Sequence, residues 1–129
     1  MIVGGGTIGC EMASFFATIG TKVTLVEYGS RVLMREDEEI SSEFVKLLTR
    51  LDAAVLCNMS VDGIDSDEMG VRVNIRGVGD EDASDKKIIE ASYALIATGR
   101  ELNFDVTEMA GVGVECGAKC VTTNKYMQT

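Results

Sequence analysis

The stretch Ile2-Val3-Gly4-Gly5-Gly6-Thr7-Ile8-Gly9 decides the fold of this chain. Ile2 and Val3 are apolar and β-prone and run straight into glycines, the pattern of a buried strand that stops in a tight turn. Beyond the turn, Ile8, Met12, Phe15, Phe16 and Ile19 recur at three- and four-residue steps. That spacing predicts a helix over Thr7 to Thr18 with one apolar stripe, closed by Gly20 as its C-terminal cap. Between a strand and a helix, Gly4-x-Gly6-x-x-Gly9 has a specific chemical use. Gly4 permits the turn, Gly6 lets the backbone approach a pyrophosphate with no Cβ in the way, and Gly9 lets helix and strand pack closely. The helix then aims free N–H groups and partial positive charge at the phosphates.

Working outward, Lys22-Val23-Thr24-Leu25-Val26 is near-continuously apolar or β-branched, as a parallel strand buried on both faces would be. Strand, helix and strand together fill about 27 residues, close to the ~30 of a βαβ unit. Ala13 puts a small side chain one turn into the helix, where it must press on the sheet. Glu27 ends the second strand 18 residues after Gly9, where a carboxylate can accept hydrogen bonds from adenosine ribose hydroxyls. A carboxylate there would repel a 2′-phosphate, so the residues favour NAD(H) over NADP(H). Arg31 lies close by, and it reads as a surface or phosphate-side residue because an NADP site wants a base in place of the acid.

A second helix is expected from about Glu36 to Leu51, with Ile40, Phe44, Val45, Leu47, Leu48 and Leu51 on one side. Its acidic start, Glu36 to Glu39, suits the positive end of the dipole. Asp52 stands where a glycine would more often end such a helix. Ala53 to Cys57 reads as a third parallel strand. The pattern then shortens and alternates over Val61 to Asp65, Val71 to Arg76 and Lys87 to Ala91, which predicts an antiparallel meander. The acidic loop Gly79 to Asp85 reads as a mobile hairpin tip. Tyr93 to Ala97 returns to buried-strand character before Thr98-Gly99-Arg100. Val106 to Ala110 reads as one helical turn, and Val121 to Met127 as an extended tail.

With 129 residues the chain fits one domain, and 46% hydrophobic with 26% charged residues is ordinary for a globular protein. The net charge of −9 without histidine works against nucleic acid and anionic membrane as partners. No apolar run reaches the roughly 18 residues of a membrane span, and the start lacks a signal-peptide pattern. A soluble protein of the cytoplasm, or of the mitochondrial matrix in a eukaryote, is the expectation. Cys10, Cys57, Cys116 and Cys120 are scattered, which argues against a disulfide framework. Cys10 and Cys57 read as small buried hydrophobes. Cys116 and Cys120 lack the spacing of a thioredoxin-like site or the extra ligands of a zinc site, so no metal site is expected.

The run Ile2 to Ala13, the run Ala97-Thr98-Gly99-Arg100, and the closing Asn124 to Thr129 resemble the pyridine nucleotide-disulfide oxidoreductases across essentially the whole chain. The resemblance implies a Rossmann-like FAD/NAD(P)-binding fold of the α/β class, a parallel sheet with an inserted antiparallel three-stranded meander. It implies that residues 1–129 are an NAD-binding domain whose FAD and dimerisation domains lie outside these residues; starting inside a strand fits a chain cut from a longer, homodimeric one. By the same resemblance Gly4, Gly5, Gly6, Thr7, Ile8 and Gly9 would hold the pyrophosphate and Glu27 the ribose. Val61 would line the adenine pocket and Gly99 would let backbone approach the nicotinamide half. Glu11, in the first turn of the helix, would reach the nicotinamide carboxamide. The parent would be an enzyme of the dihydrolipoamide dehydrogenase type that passes hydride between FAD and NAD. NADH oxidase, mercuric reductase, transhydrogenase and coenzyme A-disulfide reductase share the domain, and a non-catalytic NAD-sensing module is the alternative from another class. No catalytic residue is expected in this stretch, so alone it would bind dinucleotide and catalyse nothing. The arginine motif departs from the family in lacking a following proline, with Leu102 near that place.

Overall fold

A computed structural model describes residues 1–80, 86–117 and 120–129, which form two compact units, Met1–Thr98 and Gly99–Thr129. The acidic loop expected at 79–85 falls largely outside the described residues.

The first unit is built on a parallel sheet of β1 (Ile2–Val3), β2 (Thr24–Val26), β3 (Ala54–Leu56) and β7 (Leu95–Ile96), in the order β3-β2-β1-β7. Helix α1 (Thr7–Thr18) joins β1 to β2 and helix α2 (Glu38–Arg50) joins β2 to β3. The chain then runs through an antiparallel sheet of β4 (Met59–Asp67), β5 (Gly70–Gly77) and β6 (Lys87–Ala91) before returning to β7 on the far side of β1. The strand order therefore reverses beside β1, and in open α/β sheets the crevice at the carboxyl ends of the strands at such a reversal is where ligands bind. This is the mixed α/β architecture expected from the residues.

Two-residue periodicity sorts the sheet's side chains into two cores. Ile2 and Leu25 pack with Cys10, Ala13 and Ala17 of α1 and Leu48 of α2, while Val26 packs with Val73 and Ile75 of the meander. Leu25 and Leu48 have no exposed surface, and each such side chain contributes about 1.5–3 kcal/mol through burial.

The apolar stripe of α1 matches the one its spacing predicts only in part. Its buried residues are Gly9, Cys10, Ala13 and Ala17, whereas Ile8, Phe15 and Ile19 are 46%, 55% and 63% exposed. The small residues form the closest contact with the sheet, while Met12 and Phe16 of the predicted stripe pack half-buried against the same core. In α2 the buried pair is Ser41 and Leu48, flanked by half-buried Phe44, Val45 and Leu51, while Ile40 and Leu47 face outward. Ser41 is accommodated because its hydroxyl donates to Val32 O at 2.7 Å.

Both helices end in paired reverse hydrogen bonds of the Schellman type. After α1, Thr21 N–H reaches Phe16 O and Gly20 N–H reaches Ala17 O, with Gly20 at φ 88°. After α2, Ala53 N–H reaches Leu48 O and Asp52 N–H reaches Thr49 O, with Asp52 at φ 58°. Asp52 thus holds the left-handed position where the sequence pattern wanted glycine.

The second unit contains α3 (Val106–Gly111), capped by Asp105, whose carboxylate accepts from Thr107 N–H at 2.7 Å. The tail is not extended throughout. Cys116 bridges Val121, and Asn124 Oδ1 then accepts from the N–H groups of Tyr126 and Gln128, closing a turn. An Asn side chain competing for its own backbone makes turns of this kind.

Candidate functional site

The glycine turn is assembled where β1 ends, and its three motif glycines stand in different surroundings. Gly4 has φ 105° and a Cβ there would stand 2.5 Å from Ala97 O, so neither conformation nor space admits a side chain. A Cβ on Gly9 would fall on Gly4 O, which fixes how tightly α1 closes over the turn. Gly6 is unlike both. It is the N-cap of α1 with φ −74° and ψ −175°, a conformation open to any residue, and a Cβ there would meet nothing within 4 Å. The fold has no need of glycine at position 6. The space beside it is open to a bound group.

The start of α1 carries no internal substitute for an anion. No side chain caps it and no acidic residue occupies its first turn. The first hydrogen bond returning to the turn is Cys10 N–H to Gly6 O at 2.9 Å. Among the described residues, the N–H groups of Thr7, Ile8 and Gly9 make no bond of their own, as the first N–H groups of a helix cannot. A negative group placed there would be favoured by both the hydrogen bonds and the dipole.

Glu27 ends β2 with its carboxylate turned to the glycine turn. Oε2 accepts from Gly5 N–H at 2.5 Å and Oε1 from Gly29 N–H at 2.6 Å. A carboxylate has about four lone-pair sites, so each oxygen retains capacity for a further donor such as a ribose hydroxyl. The sequence pattern did not show that Glu27 also fastens the turn.

Gly5 is gripped from its other side too. Its carbonyl accepts from Leu33 N–H at 2.8 Å and from the Cys10 thiol at 3.3 Å. Leu33 reaches it from a left-handed conformation, φ 51°, which costs a side-chain-bearing residue about 1–2 kcal/mol. Arg31 is half-buried and its guanidinium is engaged with the backbone of its own loop, which the sequence reading did not show. Its guanidinium donates to Leu33 O at 2.9 Å, Met34 O at 3.2 Å and Glu36 O at 2.9 Å. The contributions of Arg31, Leu33 and Gly29 carry no sequence signal beyond their closeness to Glu27.

The remaining expected residues lie on α1, on β4 and in the second unit. Thr7 and Ile8 are exposed at the start of α1. Glu11 lies one turn later than expected, since the first turn of α1 contains no acid. It lines a cavity of about 450 Å³ with Thr7, Cys10, Ser14, Phe15, Leu33 and Phe44. Val61 pairs with Ile75 beside a bulge in β4 and packs half-buried on the core of Val26, Val73 and Ile75. Gly99 opens the second unit and is described with it.

Cys10 is buried, as expected, while Cys57 is half-buried. Burial first, and the charge of Glu27 second, push the Cys10 thiol up to about 11. Burial likewise raises Cys57. Neither is a ready thiolate. Cys116 pairs across an isolated bridge with Val121 and is half-buried, while Cys120 is exposed, and both are free thiols. No cluster of three potential metal ligands occurs among the described residues, and among them no helix is long and apolar enough to cross a membrane.

The open space at Gly6, the uncapped helix start and the acid at the tip of β2 together fit a dinucleotide. Known proteins agree with this architecture. The dihydrolipoyl dehydrogenase of Chlorobaculum parvum is 33% identical over 129 residues, spanning 100% of this chain and 27% of that protein. The mercuric reductase of Staphylococcus aureus is 30% identical over 129 residues, spanning 99% of this chain and 23% of that protein. The solved structure of the HOCl-induced flavoprotein disulfide reductase RclA from Escherichia coli matches with a TM-score of 0.77 at 29% identity, over 96% of this chain and 27% of that one. The chain thus spans about a quarter of the length of the curated relatives it matches. With residues 1–129 matching the family model for pyridine nucleotide-disulphide oxidoreductase, the chain belongs to that family.

Proposed function

We propose that residues 1–129 are the NAD(H)-binding domain of a flavoprotein disulfide oxidoreductase, of the dihydrolipoamide dehydrogenase type. The observation that carries this reading is Gly6, a glycine that neither backbone conformation nor packing demands. In this reading the residue is small because a diphosphate lies against its backbone. The N–H groups at the start of α1 hold the phosphates, and Gly5 and Gly9 shape the turn that presents them. Glu27 takes the ribose hydroxyls on its remaining lone pairs, and Gly99 adjoins the nicotinamide half.

Cofactor choice follows from charge. A 2′-phosphate would meet the Glu27 carboxylate, and the nearby Arg31 guanidinium is engaged with three carbonyls, so NAD(H) is preferred over NADP(H). The bound nicotinamide supplies hydride exchange with FAD held elsewhere in the parent chain. These residues bind and orient it, with Glu11 directed to the carboxamide and Val61 to the adenine side. The parent works as a homodimer in the cytoplasm or the mitochondrial matrix. The preference for the dihydrolipoamide dehydrogenase type is supported by relatives of that name at 33% identity.

Titration of the purified chain with NADH and NADPH, followed by nicotinamide fluorescence, tests the reading. NADH should bind at least about tenfold more tightly, a difference of about 1.4 kcal/mol. Equal or tighter NADPH binding would overturn the cofactor assignment.

A further inference from the structure

We propose that Arg31 is a positioning residue for the phosphate-holding turn, acting on dinucleotide affinity through Leu33 and Gly5 without touching the ligand. The inference rests on the dinucleotide reading and adds a residue to its machinery. The geometry is a relay of three links. The planar guanidinium spans the carbonyls of Leu33, Met34 and Glu36. Those bonds fold 31–36 into a tight loop, reinforced by Glu36 N–H on Leu33 O at 2.9 Å. The loop holds Leu33 in its left-handed conformation, which delivers Leu33 N–H to Gly5 O at 2.8 Å.

The consequence lies at Gly5, whose peptide groups are fixed from two sides. Glu27 holds its N–H and Leu33 its carbonyl, so the next peptide, which presents Gly6, has its orientation set before any ligand arrives. Preorganisation of this kind raises affinity by removing the cost of ordering the site on binding. Lysine cannot replace Arg31 fully, because one ammonium lacks the flat fork that serves three separate carbonyls. The loop's other anchor is independent of Arg31: Val32 has no exposed surface and its carbonyl accepts from buried Ser41. Removing the guanidinium should therefore loosen the turn and leave the domain folded.

The test compares the unaltered chain with Arg31→Met and Arg31→Lys by amide hydrogen exchange and NADH titration. Arg31→Met should speed exchange at Gly5 and Leu33 about tenfold or more, with Val73 and Ile75 unchanged as the measure of global folding. Its NADH dissociation constant should rise about five- to tenfold, with Arg31→Lys between the two. Unchanged exchange at Gly5 and Leu33 overturns the proposal. So does faster exchange with unaltered NADH affinity, which would leave Arg31 a purely structural residue. Failure of the unaltered chain to bind NADH overturns the dinucleotide reading, and the positioning role with it.

Discussion

Replacing Gly6 by serine should make the protein more stable and a worse dinucleotide binder, a combination that only a ligand-reserved glycine produces. The backbone at position 6 already has the extended N-cap conformation and lacks a side-chain cap. Serine there gains a few tenths of a kcal/mol as a cap. Loss of glycine's freedom in the unfolded chain contributes about 0.4–1 kcal/mol more. The net gain is about 0.5–1.5 kcal/mol, raising Tm by about 2–6 °C. No steric term subtracts from it, because a Cβ at Gly6 meets nothing within 4 Å. The new side chain instead occupies the space assigned to the phosphate and takes an N–H meant for it. Each charged hydrogen bond lost is worth about 1.5–3 kcal/mol, so NADH should bind about 10- to 150-fold more weakly. Thermal melts and a fluorescence titration on the same samples give both numbers. Gly9→Ala is the contrasting control: its Cβ would fall on Gly4 O, and the variant should lose stability outright. NADH affinity within twofold of the unaltered chain in Gly6→Ser would refute the reasoning.

Other substitutions test neighbouring parts. Glu27→Ala should lower stability by about 1–3 kcal/mol by stripping Gly5 and Gly29 N–H groups of their acceptor, and weaken NADH by about 1.5–3 kcal/mol; unchanged affinity in titration would move Glu27 off the ribose. Asp52→Gly should stabilise the chain by about 1 kcal/mol in denaturant melts, since an exposed residue at φ 58° leaves a costly conformation and a carboxylate leaves the negative end of α2. Cys10 should resist thiol reagents at pH 8 in the native protein while exposed Cys120 reacts. Because burial raises Cys10 from 9.0 to about 11, its contribution to stability is complete below pH 9 and is lost as pH rises through about 11; an alkaline melt series without that decline in the unaltered chain relative to Cys10→Ala would count against the buried neutral thiol.

Much of this arrangement is legible in the residues because it is local. The glycine turn, the span Thr7–Thr18 and the strand Lys87–Ala91 match expectation to the residue, each being fixed by near neighbours. Ile8, Phe15 and Ile19 show the opposite. Their spacing announces a helix correctly, but which residues meet the sheet depends on how the helix is set against it, and the closest contact falls to Cys10, Ala13 and Ala17. Glu27 could be placed at the crevice from its distance to Gly9, yet its bonds to Gly5 and Gly29 need the folded loop. Arg31 was legible as a charge near an acid and became a loop clasp only when three carbonyls converged on it. In the tail, Asn124 prefers its own turn to the extended path that Val121 to Thr123 suggest.

Backbone amide resonances followed during addition of NADH test most directly whether the glycine turn grips a diphosphate. The largest shifts should fall on Gly6, Thr7 and Ile8, with smaller ones at Gly5 and Gly29 as Glu27 adjusts, and little change at Arg72 or Asn74 on β5. Saturating NADH that leaves those first three amides where they were, or that moves mainly Phe15 and Phe44, would contradict the account.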